Sequence, residues 1–220
     1  MAINSGIPLW ATDVAAALLQ AVLKKDPFTF YHCCRVGRAA RQMGLELNLP
    51  EYELALLEFS GLFHDIGKIG IPDSILLKPG RLDLHEVNIM KNHAEISVDI
   101  IRPLTKNTFF RHLVPGVRYH HERFDGVGYP IGLKAEKIPF YARIITVVDT
   151  VDAMLNTRPY RNALTMDHVK KELIEYSGTQ FDPQLAQLYL ASQPKWESDG
   201  QILAPNKDEV VIKDILRIAA

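Results

Sequence analysis

The run EYELALLEFSGLFHDIGKIG, residues 51–70, decides the fold. Pro50 precedes it, and residues 51–63 are rich in Leu and Ala, which predicts a helix. That helix delivers a histidine and an aspartate, His64 and Asp65, before the chain meets a different texture. Residues 67–81 hold Gly67, Gly70, Pro72, Pro79 and Gly80 and read as a loop with one short helical turn.

Upstream, Asp13 is placed to cap a helix through Val14, Ala17, Leu18, Val22 and Leu23, closed by Lys24 and Lys25. A second helix carries His32, Arg35, Val36, Ala39, Ala40 and Met43, spaced by threes and fours so that they share a face. Downstream, Asp83 and Glu86 have capping-box spacing. Helices are expected over residues 94–101 and 107–118, the second broken at Pro115-Gly116. Residues 122–139 are turn-rich again, with Asp125-Gly126, Gly128 and Pro130. Helices at 140–155, 167–176 and 183–190 follow, then a loop after Pro194 and a last apolar element at 210–218. Strand patterns have little support, and no internal repeat is found. The expected fold is all-α.

The 220 residues suffice for one domain with a substantial core. A hydrophobic share of 47% and a charged share of 23% are ordinary for a soluble globular protein. A net charge of −1 gives no electrostatic footprint for duplex nucleic acid or an anionic membrane as partner. A polyanionic small substrate would need a local cluster of cations. The two cysteines, Cys33 and Cys34, are neighbours, a poor staple that fits a reducing compartment and packing within a helix. The first nine residues lack the pattern of a signal peptide, and no apolar run approaches the roughly 20 residues of a membrane span. A soluble cytoplasmic protein is expected.

Five of the eight histidines, His32, His64, His93, His120 and His121, stand with Asp65 and Asp149 as candidate metal ligands. Singly, each histidine is more ordinary as a satisfied polar contact on a helix face. Asp149 differs, because it lies among Ile144, Ile145, Val147 and Val148, where a carboxylate is costly without a cation or donors. Together, imidazoles and carboxylates suit Fe, Mn, Zn, Co or Ni better than Ca or Mg. Seven groups exceed the needs of one ion, whereas two ions sharing a carboxylate use them all. Such a pair suits in-line displacement at a phosphate, generating the attacking nucleophile and stabilising phosphoryl charge. His85, His112 and His168 lack comparable company and are assigned to ordinary structural roles.

Four separated blocks then resemble one family, the HD-GYP domain. They are residues 64–73 (HDIGKIGIPD) with Lys78-Pro79-Gly80 and Leu82; residues 120–130 (HHERFDGVGYP), which hold the eponymous Gly128-Tyr129-Pro130; residues 142–161, with Asp149, Asp152, Arg158 and Arg161; and residues 178–183 (GTQFDP). The resemblance covers about residues 13–192 and sets expected boundaries: an N-terminal segment 1–12, an HD-GYP domain 13–194 and a C-terminal extension 195–220. It implies a helical HD-superfamily bundle with a metal cluster in its core. It also implies hydrolysis of cyclic di-GMP to linear pGpG, with possible onward cleavage to GMP.

By position, the resemblance makes His32, His64, Asp65, His93, His120, His121 and Asp149 metal ligands, with Asp65 the bridge. It turns Lys68, Tyr129, Arg158 and Arg161 toward the substrate. Lys68, one turn from Asp65, could touch a phosphate oxygen or protonate the leaving 3′ oxygen. Arg158 and Arg161 offer planar forks to phosphate, and Tyr129 a ring for a base or a hydroxyl for a phosphate. Two departures matter. Some members carry a glutamate one turn before the first histidine, where it helps hold a third metal; Phe28 stands there, so two metals are expected, Fe or Mn ahead of Zn, Co or Ni. Ala94 replaces the usual proline after His93, which alters a helix start but no ligand. Alternatives are hydrolysis of another nucleotide such as cyclic GMP-AMP, or a non-catalytic sensor. A protein partner, for example a diguanylate cyclase, could dock on the Gly-Tyr-Pro loop.

Overall fold

The computed structural model describes residues 6–156 and 163–198. Arg158, Arg161 and the apolar element at 210–218 lie outside the described residues. The described chain is helical: α1 (Ala11–Lys25), α2 (Pro27–Glu46), α3 (Glu51–Phe63), α4 (Asp73–Leu76), α5 (Leu84–Lys91), α6 (His93–Ile101), α7 (Thr108–Arg118), α8 (Phe140–Leu155), α9 (Met166–Glu175) and α10 (Pro183–Ser198). Tight 3₁₀ turns fill Ile66–Gly70, Arg102–Lys106 and Ala135–Lys137. The only β pairing among the described residues is an isolated bridge between Ser177 and Phe181. The all-α expectation holds.

Start signals in the sequence act largely where local chemistry puts them. Asp26 caps α2 by accepting from the amides of Phe28 and Thr29, with Pro27 at the first helical position. Asp83 and Glu86 form the reciprocal capping box that opens α5. Asp13 is not a cap: α1 begins at Ala11, and Asp13 lies in its first turn, where a carboxylate suits the positive end of the helix.

Two expected interruptions fail for one physical reason. α7 runs unbroken through Pro115, because Phe110, Leu113, Gly116 and Val117 are buried on both sides of the proline. The carbonyl that loses its helical partner belongs to Arg111, at the surface within reach of water. α10 likewise runs through Pro194 to Ser198, so residues 195–198 are helix rather than loop. Trp196 is buried there, edge-on to Tyr189, and its indole donates to Glu46 at the end of α2. Burying one large side chain, worth about 1.5–3 kcal/mol, competes well with the local cost of a proline.

Two apolar clusters share α2. One gathers α1, α2, α3, α6 and α7 around Phe59, Phe63, Phe109 and Phe110. The other gathers α2, α8, α9 and α10 around Val147, Val151, Phe181 and Tyr189. In α8, Ile144, Ile145, Val147, Val148 and Val151 are all wholly buried, which marks a central helix. Thr146, Asp149 and Asp152 break that apolar surface at three-residue intervals, forming a polar stripe. No helix among the described residues is long and apolar enough to cross a membrane.

Candidate metal centre

The polar stripe of α8 faces five imidazoles. His32 comes from the second turn of α2, His64 and Asp65 from the end of α3, His93 from the start of α6, and His120 and His121 from just beyond α7. The structure brings all seven expected ligands together. Three overlapping groups have donor atoms within 4.8 Å of one another: His32, His64 and Asp149; His93, His120 and His121; and His64, Asp65 and His120. His85, His112 and His168 stand outside these groups. His112 meets the Tyr52 hydroxyl, and His168 pairs with Glu172 at the surface.

Asp65 lies between the subsites. Its Oδ2 is 3.3 Å from Nε2 of His32 and 3.5 Å from Nε2 of His64, while its Oδ1 is 3.1 Å from Nε2 of His93. Asp149 Oδ1 stands 3.1 Å from Nε2 of His32 and 3.9 Å from that of His64. Nitrogen–nitrogen separations are 3.2 Å for His32–His64, 3.3 Å for His93–His120 and 3.1 Å for His121–His93. Metal–ligand bonds of about 2.0–2.2 Å put neighbouring donors at about 3–3.5 Å, so these separations suit ligands around an ion.

Outer contacts fix which nitrogen points inward. Nδ1 of His64, His93 and His120 each lies 2.7 Å from a carbonyl three residues earlier, on Gly61, Met90 and Val117. Each Nδ1 therefore carries the proton and donates it, leaving the Nε2 lone pair facing the centre. His32 is oriented by a carboxylate instead: its Nδ1 is 2.7 Å from Asp152 Oδ2, and Arg35 holds Asp152 through Nε at 2.6 Å and Nη2 at 3.0 Å. Lone pairs facing one another without protons between them are repulsive unless a cation stands among them. The donor set thus fits a metal of the imidazole-and-carboxylate class.

The electrostatics agree. Burial lowers the pKa of His64, His93 and His120, and takes His121 down to about 3, so these rings are neutral and ready to ligate. Burial also pulls His32 down, but hydrogen bonds with Asp149, Asp152 and Asp65 outweigh it and raise this ring to about 10. Asp65 and Asp149 resist the upward push of burial and stay ionised, Asp65 chiefly through Lys68 and His64, Asp149 chiefly through His32. Four neutral imidazoles thus surround an anionic seam of aspartates, on which His32 alone holds its proton firmly.

Of the expected substrate-facing residues, Lys68 and Tyr129 are described, and both are partly buried beside the donors. Lys68 Nζ lies 2.5 Å from Asp65 Oδ2. The Tyr129 ring stacks on His121, with centroids 4.7 Å apart and planes 21° apart, and Lys91 extends its ammonium over the same ring at 5.2 Å. The Tyr129–Pro130 peptide is cis. Phe28 stacks loosely on His32 at 6.5 Å and supplies no donor.

Several supporting residues escaped the sequence reading. Ser97 Oγ donates to the His64 carbonyl and accepts from the Gly67 amide, tying α6 to the histidine–aspartate turn. Thr146 Oγ1 contacts the His120 carbonyl at 2.8 Å. Glu122, wholly buried beside His121, accepts from the amides of Ile131, Gly132 and Leu133. Only Asp152 left a signal, as a second carboxylate in an apolar helix three residues after Asp149.

The comparisons with known proteins agree with this geometry. A family model described as HD domain matches residues 17–185. The cyclic di-GMP phosphodiesterase response regulator RpfG of Xanthomonas campestris pv. campestris is 38% identical over 185 residues, 84% of this chain and 49% of that protein. The 3′3′-cGAMP-specific phosphodiesterase 2 of Vibrio cholerae is 35% identical over 173 residues, 79% of this chain and 33% of that protein. The chain thus spans about half or less of the length of these relatives. The crystal structure of a cyclic GMP-AMP-specific phosphodiesterase of V. cholerae shares the fold, with a TM-score of 0.63 at 21% identity over 95% of this chain and 54% of that one. With its helical bundle and its cluster of buried histidines and aspartates, the chain belongs to the HD domain family and is of the HD-GYP type.

Proposed function

We propose that the chain is a metal-dependent phosphodiesterase that opens a cyclic dinucleotide, with cyclic di-GMP as preferred substrate. The observation that carries this is the gathering of seven donors in three overlapping groups, with one oxygen of Asp65 near His32 and the other near His93. Two divalent transition metals, Fe or Mn ahead of Zn, Co or Ni, would be held by His32, His64 and Asp149 on one side and His93, His120 and His121 on the other. When bound, they supply water activation and stabilise charge on the phosphoryl oxygens.

The chain's own groups do the rest. Lys68, beside Asp65, donates a proton to the departing 3′ oxygen as water adds to phosphorus and the P–O3′ bond breaks. Arg158 and Arg161 neutralise phosphate oxygens, and Tyr129 borders the substrate. The product is a linear dinucleotide, pGpG for cyclic di-GMP, open to a second cut to GMP. Val127 and Ile131, exposed on the loop that carries Tyr129, support a protein contact there, with a diguanylate cyclase as one candidate. Two free, buried cysteines fit a reducing compartment, which we take to be the cytoplasm.

The relative that is specific for 3′3′-cGAMP favours one second reading, in which the mixed cyclic dinucleotide is preferred. Anaerobic purification with metal analysis, followed by turnover of both nucleotides with added Mn(II) or Fe(II), decides between them. The expected result is near two metals per chain, faster cleavage of cyclic di-GMP, and loss of both metal and activity in Asp65→Ala. Metal uptake without cleavage of either nucleotide would make the domain a sensor.

A further inference from the structure

Four of the five clustered imidazoles have a hydrogen-bond acceptor on Nδ1: Asp152 for His32, and the carbonyls of Gly61, Met90 and Val117 for the others. Among the described residues, His121 has no partner at that nitrogen. Its ring meets His120 at 4.1 Å and His93 at 5.0 Å on the side of the centre, and stacks on Tyr129 at 4.7 Å. What holds Tyr129 therefore bears on the aim of His121.

Tyr129 sits on a loop folded back over the segment that bears the histidines. Its amide donates to the His121 carbonyl at 3.1 Å, and Ala135 donates to the Phe124 carbonyl at 2.9 Å. Gly128 makes the fold-back possible: a Cβ there would meet the Arg123 amide nitrogen at 2.3 Å and Glu122 Cα at 2.6 Å. Beyond Pro130 the loop is gripped by one side chain. Glu122 Oε1 accepts from Ile131 at 2.9 Å and Gly132 at 3.1 Å, and Oε2 accepts from Leu133 at 3.0 Å. A buried carboxylate with three amide donors is a strong, directional clamp, since charge-assisted hydrogen bonds are about twice as strong as neutral ones.

We propose that Glu122 is a positioning residue of the metal centre, fixing the loop at 127–134 so that the Tyr129 ring aims the His121 imidazole. This rests on the reading of His121 as a ligand. The chain of action runs from carboxylate to three amides, from loop to ring, and from ring to imidazole. It does for His121 what a hydrogen bond does for the other four rings. The Tyr129 hydroxyl takes no part in it; the ring face does.

The test is a metal titration of the full chain, stripped and reloaded with Mn(II), with affinity and stoichiometry read by calorimetry. Tyr129→Phe keeps the ring and should bind like wild type. Tyr129→Leu and Glu122→Ala should each weaken one of two sites by about 10–100-fold, the usual effect of losing an outer-shell support, and leave the other unchanged. Glu122→Gln, which retains an acceptor for Ile131 and Gly132, should fall between. If Glu122→Ala does not fold, Tyr129→Leu decides, because its loop is still clamped. Wild-type affinity at both sites in Tyr129→Leu would overturn the proposal, as would equal weakening of both sites, the signature of general loosening. Failure of wild type to take up metal would sink the phosphodiesterase reading itself, a result distinct from either.

Discussion

Asp152 and Arg35 show how much of the centre lies one layer behind its donors. The aspartate accepts from His32 and from the guanidinium together, so that a single buried carboxylate sets the tautomer of the first imidazole. Asp152→Asn preserves volume but turns an amide toward Arg35 or His32. Metal affinity at the His32 subsite should fall by about 10–100-fold. Leaving the guanidinium without its anion should also cost about 3 kcal/mol or more of stability. Metal titration and urea denaturation check both, and unchanged affinity would remove Asp152 from the account of His32. The donors stood out in the sequence because five histidines and a carboxylate in an apolar helix are chemically conspicuous. Asp152 showed only as a second carboxylate in that helix, and Arg35, Ser97 and Glu122 showed no such role, because their partners are fixed by folding: Arg35 and Asp152 are 117 residues apart.

Among the elements, the turn at Ile66–Gly70 and α6 approach backbone to backbone, and one glycine permits it. A Cβ on Gly67 would lie 2.0 Å from the His93 carbonyl oxygen and 2.4 Å from the Ser97 nitrogen, both backbone atoms that cannot swing aside. Gly67→Ala should drive α6 away from the histidine–aspartate turn, at a cost of about 1–3 kcal/mol or more for overpacking. It should also part His93 from Asp65, so thermal unfolding and metal stoichiometry should fall together. A variant with wild-type values of both would show that the two elements have slack. The bounds of α3 and α8 were legible to the residue, since each is a dense apolar run between breakers. Pro115 and Pro194 misled because a proline is a local signal, while burial of Val117 and Trp196 is a tertiary one that outweighs it.

For the whole molecule, stability should carry a pH signature from a group outside the donor set. Burial raises Glu58 on α3 to about 7 from 4.5, against the pull of Arg41, whose Nε lies 3.7 Å away, and of Arg38, with Glu51 adding to the rise. A carboxyl with a raised folded pKa holds its proton in the folded state while the unfolded state has lost it. Stability therefore falls as pH rises from about 4.5 to about 7, by a total on the order of 3 kcal/mol. Glu58→Gln stays neutral throughout. Its unfolding free energy relative to wild type should rise across that window and level off above it, as measured by denaturant titration at fixed pH steps. A flat difference would mean that water reaches Glu58.

The carbonyls that anchor His64, His93 and His120 belong to the last turns of α3, α5 and α7. Three rings are thus indexed to the ends of three rods, and each rod's phase becomes part of the geometry of the cluster. One residue inserted within any of them would swing its ring by about 100° and carry it about 1.5 Å along the axis. The same insertion in an exposed connection would leave the rods in phase. Length variation in this lineage should therefore accumulate between the helices and be purged from within them.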